Sequence, residues 1–345
     1  MQQRHITLFI PGLLGADVLR ERRYFEGLAV AQLELMLSRA RRKRHQSQGS
    51  DAALFNLFGY PATQRHPPVA AVTHVVDQGC APPRDCLRAD PVHLQPDRDR
   101  IVMLGNRPLA VTPAEAQQLA AEFNRLFAED GLTLETPVAE RWYLTCDHAP
   151  DIRTRPLQDV IGQDIHQHLP AGGAAMHWHK ILNEVQMLFY ASPVNQARRQ
   201  RGLPEINSIW LWGEGELPRL ATQTWQQVWS NDTLSAALAQ VSQTERNTLP
   251  ASGEEWLEQA TAMGRHLVVI EALAEALQQQ DLQRWRDMIE AVNDEWLRAL
   301  MAALSSKRLA SIRLLSDNAE FELDAKRLKH WWRRRRSLTK LQLGA

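Results

Sequence analysis

Residues Ser192 to Pro218 read SPVNQARRQRGLPEINSIWLWGEGELP. A Pro193-Val194-Asn195 turn leads through Arg198 to a short apolar strand, Ser208–Trp212, which runs into the loop Gly213-Glu214-Gly215. A strand entering a Gly-x-Gly loop places main-chain N–H groups where an anion can approach. Arg198, Arg199 and Arg201 flank the turn. With Asn195, Asn207, Gly213 and Gly215 they form a candidate pocket for a phosphorylated or carboxylate small molecule, since arginine supplies paired donors to such groups. The competing reading is a solvated basic helix face. Trp210 and Trp212, with Trp178, read as core.

Outward from this stretch, short β-branched or aromatic runs alternate with longer amphipathic ones, the pattern of an α/β fold with a mainly parallel sheet. Strands are expected at Ile6–Ile10, Ala71–Val76, Ile101–Leu104, Arg141–Leu144, Ser208–Trp212, Leu267–Ile270 and Ile312–Leu315. Thr112-Pro113-Ala114-Glu115 starts a helix with a capping box, followed by Leu119, Phe123, Leu126 and Phe127 at helical spacing. Further helices are expected from Gly173 to Tyr190 and from Asp281 to Leu304. Leu220 to Ala262 is Gln-rich and poorly periodic, and reads as a connecting insertion without chemistry of its own. No internal repeat is seen.

The chain has 345 residues, 44% of them hydrophobic, which is enough for a large core. Forty basic and forty acidic residues cancel, so net charge points to neither nucleic acid nor membrane. No run of about 18 apolar residues occurs, so no spanning helix is expected. The amino terminus has one early Arg, a short apolar run before Asp17 and no small-residue cleavage site, which argues against secretion. Cys80, Cys86 and Cys146 show no CxxC spacing and are expected as reduced, buried thiols of a cytoplasmic protein.

The stretch PVNxxRxxxGxPxxNxIWLWGxG resembles the archaeal-type, cofactor-independent phosphoglycerate mutases of the alkaline phosphatase superfamily. The resemblance extends to Asp90-Pro91-Val92-His93-Leu94, the helix at Pro113–Phe127, Arg141-Trp142-Tyr143-Leu144 and Gly162–Pro170, in the same order. It implies an alkaline-phosphatase-like mainly parallel sheet flanked by helices, formed by residues 1–84 and 219–345, with an inserted smaller α/β lobe at 85–218. Gly49-Ser50-Asp51, an Ala, then Gly59-Tyr60 keeps the spacing around the family's phosphorylated serine, so the resemblance puts Ser50 in the nucleophile's place.

A serine of this kind works when metal ions lower its pKa and neutralise the phosphoryl oxygens. The family's first strand ends in Asp-Gly, and here Pro11-Gly12 stands there. Val268–Asn293 matches the family's HxExPDExxH stretch and the helix after it. Its ligand positions, however, read Val269, Ala274 and Gln278, and the final Asp-His pair reads Asp317-Asn318. Pro, Val and Ala bring no ligand atom, and Gln offers neither an anionic oxygen nor an imidazole nitrogen. Asp317 is the residual ligand-type residue. The same marks, with the INSIWLWGEG loop, are similar to the RpfE-type regulatory proteins of bacteria.

The resemblance thus implies a non-catalytic pseudoenzyme with a regulatory or anion-sensing role and no cofactor. One alternative is an active mutase or phosphatase with two divalent metals such as Mn or Mg around Ser50, Asp51, Asp317 and nearby histidines. His166, His168, His177 and His179 are expected to be individually solvated or hydrogen-bonded, because an i, i+2 pair on a helix points to opposite sides. Another alternative is an interaction module for protein or nucleic acid, working through the basic tail Lys326–Arg336 and its Arg333–Arg336 end. Against it stands a hairpin strand at Phe321–Leu323 and a last helix with Leu328, Trp331 and Trp332 packed down.

Overall fold

The computed structural model describes residues 3–14, 22–44, 49–60, 67–106, 109–222, 224–316 and 319–340. Among these described residues thirteen strands appear in order: β1 Arg4–Phe9, β2 Arg41–Arg44, β3 Cys86–Val92, β4 Leu94–Asp97, β5 Arg100–Met103, β6 Leu132–Val138, β7 Arg141–Cys146, β8 Ser208–Gly215, β9 Gln227–Trp229, β10 Glu245–Asn247, β11 Gly264–Val269, β12 Ser311–Ser316 and β13 Ala319–Asp324. The chain divides into two compact units, residues 1–62 with 220–345, and residues 63–219.

The first unit is built on a seven-stranded sheet ordered β10-β9-β11-β1-β12-β13-β2. From β10 to β12 all pairings are parallel, and β13 and β2 add antiparallel strands at one side. The last four residues of β1 and of β11 are all buried, as expected of strands covered on both faces. Leu282 to Ser305 is helical throughout, as the spacing predicts, but Val292–Leu297 adopts π-helical geometry. That bulge turns Asn293 so that its Oδ1 accepts from the N–H groups of Gln32 (2.8 Å) and Leu33 (3.0 Å), capping the helix Ala31–Arg39, whose own Val30 has no capping side chain.

Leu220–Ala262 does more than connect. It supplies β9 and β10 at the sheet's other side, together with helices Thr233–Val241 and Gly253–Gln259. Strands three residues long carry too little alternation to announce themselves.

The second unit has an antiparallel sheet ordered β6-β7-β3-β8 and a separate β4-β5 hairpin. The capping box forms as read: Glu115 N–H donates to Thr112 Oγ1 (3.3 Å), and Thr112 N–H to Glu115 Oε2 (3.0 Å). The expected strand Ala71–Val76 is instead part of the helix Val69–Gln78, which belongs to this unit although a boundary near Arg84 would assign it to the other. Its β-branched run favours a strand locally, but residues 69–74 are all buried in the helix, and Gly79 closes it at φ +76°. Among the described residues no helix is long and apolar enough to cross a membrane.

Candidate functional site

The carboxyl ends of parallel strands are where open α/β sheets build their sites. In the first unit β1 ends in Ile10-Pro11-Gly12-Leu13-Leu14, and all five residues are buried. Gly12 has φ +78°, and a Cβ there would stand 2.9 Å from the Ala274 backbone N and Cα atoms. Its carbonyl accepts from Trp285 Nε1 at 2.9 Å, and Leu14 N–H donates to Ser316 Oγ at 2.9 Å. Where the resemblance would put a carboxylate, the chain has a turn packed against helix backbone and indole.

Ser50 is the first residue of the helix Ser50–Leu57 and is half-buried. Beside this helix start the sheet edge is acidic. β11 leads into Glu271, and β9 into Asp232, which caps its helix by accepting from Ser235 N–H at 2.6 Å. Burial first, then the neighbouring and hydrogen-bonded Asp232, with Asp51 and Glu275 adding to it, push the Glu271 carboxyl up to about 10, so it holds its proton at neutral pH. Asp317 and Asn318 lie outside the described residues. Among the described residues no group of three or more His, Cys, Asp or Glu could hold a metal ion. At the positions where the resemblance implies metal ligands, Pro11, Val269 and Ala274 have no donor atom and Gln278 has no charge. His5 and His266 stand in the amino-terminal halves of β1 and β11, away from this edge.

In the second unit the expected anion pocket is filled by the protein itself. Arg198 is 0% exposed; its Nε donates to Pro204 O (2.7 Å), its Nη1 to Glu115 Oε2 (2.9 Å) and its Nη2 to Leu109 O. Arg201 pairs with the other Glu115 oxygen at 2.7 Å, and Arg199 with Glu205 at 2.7 Å. Burial pushes the Glu115 carboxyl up, but the Thr112 N–H and Arg201 outweigh it and hold it below the ordinary range.

The two asparagines are spent in the same way. Asn195 Nδ2 donates to Phe189 O and Ile206 O, both at 2.8 Å, while its Oδ1 accepts from Ile206 N–H at 2.9 Å. Asn207 pairs with both main-chain groups of Leu94 at 2.8 Å. Gly213, at φ +67°, has room for Val69, since a Cβ would meet Val69 Cβ at 3.1 Å; Gly215 likewise faces Pro68 at 3.0 Å. These five residues make their contacts within the protein, Arg198, Asn195 and Asn207 with main-chain groups and the two glycines with Val69 and Pro68.

Sequence reasoning missed what the matched motifs build together. Asp90, Arg141, Tyr143 and Trp212 converge on one buried polar network. Asp90 Oδ1 accepts from Arg88 Nη2 (2.6 Å) and its Oδ2 from Trp212 Nε1 (2.7 Å). The Arg88 guanidinium lies 5.4 Å from the Tyr143 ring centre and 5.2 Å from that of Trp212. Asp77 accepts from Arg141 (2.7 and 2.8 Å) and from Tyr143 OH (2.6 Å). Burial raises Asp77, but these donors outweigh it and keep it ionised. Buried charges endure only when paired in this way. The alternation of polar and aromatic residues in these motifs was the available signal.

The histidines stay separate: His166 bonds Asp164, His168 bonds Gln163 and His179 bonds Pro170 O. Cys86 and Cys146 are buried, and burial pushes the Cys146 thiol up to about 12; Cys80, expected buried, is exposed.

No family model matches the chain. It is 29% identical over 178 residues to a probable 2,3-bisphosphoglycerate-independent phosphoglycerate mutase of Geobacter sulfurreducens, covering 50% of this chain and 44% of that protein. The enzyme of that name from Methanothrix thermoacetophila is 29% identical over 110 residues, 32% of this chain and 28% of the relative. The chain thus spans less than half the length of these curated relatives. Among solved structures, the PH0037 protein of Pyrococcus horikoshii superposes with a TM-score of 0.57 at 12% identity, covering 94% of this chain and 88% of that one. A cofactor-independent phosphoglycerate mutase from Thermoplasma acidophilum aligns with a TM-score of 0.49 at 17% identity, covering 94% and 90%. Over half of its length the chain is similar in sequence to proteins named 2,3-bisphosphoglycerate-independent phosphoglycerate mutases, and it shares its α/β fold with the PH0037 protein.

Proposed function

We propose that this chain is a phosphoglycerate mutase-like pseudoenzyme, a regulatory protein of the RpfE type that keeps the fold without phosphoryl transfer at Ser50. The observation that carries the reading is the end of β1, where the buried turn Ile10–Leu14 packs Gly12 against Ala274 and Trp285. Phosphoryl transfer needs positive charge on the developing oxygens and a means to ionise the attacking hydroxyl. Pro11, Val269 and Ala274, at the ends where the resemblance implies ligands, supply neither that charge nor an ion to carry it. A carboxylate pocket lined by Arg198 does not enter the reading, because that side chain is committed internally.

The test is an assay of 2- and 3-phosphoglycerate interconversion and of phosphatase activity with Mn, Mg or Co added, alongside metal analysis of protein purified without chelator. No turnover is expected. Turnover that disappears in Ser50→Ala, with two tightly held divalent ions per chain, would establish an active metal-dependent mutase or phosphatase instead.

A further inference from the structure

The two arginine runs, almost 300 residues apart in sequence, meet on one surface of the first unit. β2 carries Arg41-Arg42-Lys43-Arg44 and is the last strand of the seven-stranded sheet, so its outer edge is unpaired within that sheet. The chain from Leu328 to Leu338 lies along the helix that precedes β2. Arg39 Nη1 donates to Leu328 O at 2.5 Å, Arg336 N–H to Ser38 Oγ at 3.0 Å, and Leu338 N–H to Glu34 Oε1 at 3.1 Å. Lys326–Arg336 holds seven basic residues and no acidic one. In a chain of zero net charge this is a strong local excess.

Trp331 and Trp332 sit within that excess, 78% and 61% exposed, where the sequence predicted them packed down. The helix that should have carried them ends at Leu328, and the next residues follow the surface as turns. The two indoles stand edge to face at 6.2 Å, and the His330 ring stacks on Trp332 at 4.5 Å with 25° between planes. Leaving two large indoles exposed forgoes the stabilisation that burying them would bring, which a folding role does not explain. Basic residues on an edge strand do discourage strand addition, but that leaves the tryptophans unexplained.

We propose that this surface binds single-stranded nucleic acid. The exposed Arg41 of β2 and Arg333 and Arg334 of the tail follow the phosphates, Lys43 and Arg335 being paired with Glu320 and Glu34, and the Trp331 and Trp332 rings stack on unpaired bases. A duplex would use the charge but keep its bases from the indoles. An anionic membrane fits less well. Among the described residues of this unit the exposed large apolar side chains are Met263 and these two, too narrow an apolar face for interfacial anchoring. The proposal does not depend on whether the sheet edge at Ser50 is catalytic.

The test uses the full chain and a fluorescein-labelled, mixed-sequence single-stranded DNA of about 20 nucleotides, long enough to cover one site. Anisotropy titrations run between about 50 and 200 mM salt, and intrinsic tryptophan fluorescence is recorded in parallel. Binding is expected with quenched tryptophan emission. Log Kd should change linearly with log salt, by about 0.7 per contacted phosphate. The double variant Trp331→Ala, Trp332→Ala should weaken binding about tenfold or more with the salt slope unchanged. The pair Arg333→Ser, Arg334→Ser should instead reduce the slope by about 1.4. All four side chains are exposed, and an unchanged melting temperature confirms that the variants are folded. The proposal is overturned by absence of binding at the lowest salt, by a tryptophan variant that binds as tightly as wild type, by equal affinity for the duplex of the same sequence, or by capture on phosphatidylserine vesicles without oligonucleotide binding.

Discussion

Replacing Arg198 by Ala separates the two accounts of the Pro-Val-Asn-x-x-Arg segment by sign. If Arg198 lined an empty anion pocket, its removal would relieve a buried, uncompensated charge and leave the ligand-free protein as stable or more so. The structure shows the opposite arrangement: the side chain is 0% exposed and donates to Pro204 O, Leu109 O and Glu115. Deleting it strands two carbonyls, at about 1–3 kcal/mol each, and opens a cavity the size of a long side chain. Glu115 is better placed, since Arg201 still holds it at 2.7 Å, so its cost stays small. The sum is about 3–5 kcal/mol of lost stability, the range measured when one partner of a buried ion pair is removed. Arg198→Met, which restores volume without donors, should recover only the cavity part, leaving at least about 2 kcal/mol. Urea unfolding followed by circular dichroism and by tryptophan fluorescence measures both variants. An Arg198→Ala protein as stable as wild type would refute the reasoning. So would a phosphorylated metabolite that raises the wild-type melting temperature but not that of the variant.

At the end of β1, Gly12→Ala must adopt φ +78° and place a methyl 2.9 Å from the Ala274 backbone, so it should lose at least about 2 kcal/mol in the same unfolding assay. Glu271 is raised from 4.5 to about 10, so folding takes up a proton between those values. The stability this contributes is full below the unfolded value and is lost as pH rises toward the folded one. Glu271→Gln cannot titrate and should therefore gain on wild type by up to about 1.4 kcal/mol per pH unit from pH 5 to 9; parallel curves across that range would contradict the assignment. Of the three thiols, Cys80 is expected to react at once with a disulfide reagent at neutral pH, and Cys86 and Cys146 only on unfolding, because burial keeps both protonated. A time course with three equivalent thiols in the native protein would show that this burial is absent.

What the sequence determined by itself was local and repetitive. The Thr112/Glu115 capping box fixed one helix start to the residue, and the short β-branched stretches within β1, β11 and β12, alternating along the chain with longer amphipathic ones, announced a mainly parallel sheet. At the positions where the resemblance implies metal ligands, the residue types Pro11, Val269, Ala274 and Gln278 likewise told that no charged ligand is present, since donor chemistry belongs to the residue type. Tertiary structure decided the rest. Whether Arg198 met a ligand or Leu109 O, 89 residues away, depended on a long-range partner that no local pattern encodes. The β-branched run at Val69–Gln78 became a helix because burial outweighed propensity, and three-residue strands such as β9 gained their identity only from their neighbours. The two basic runs joined because β13 pairs with β2 and delivers the tail beside it, a juxtaposition set by sheet order, to which residue type contributes only the charge.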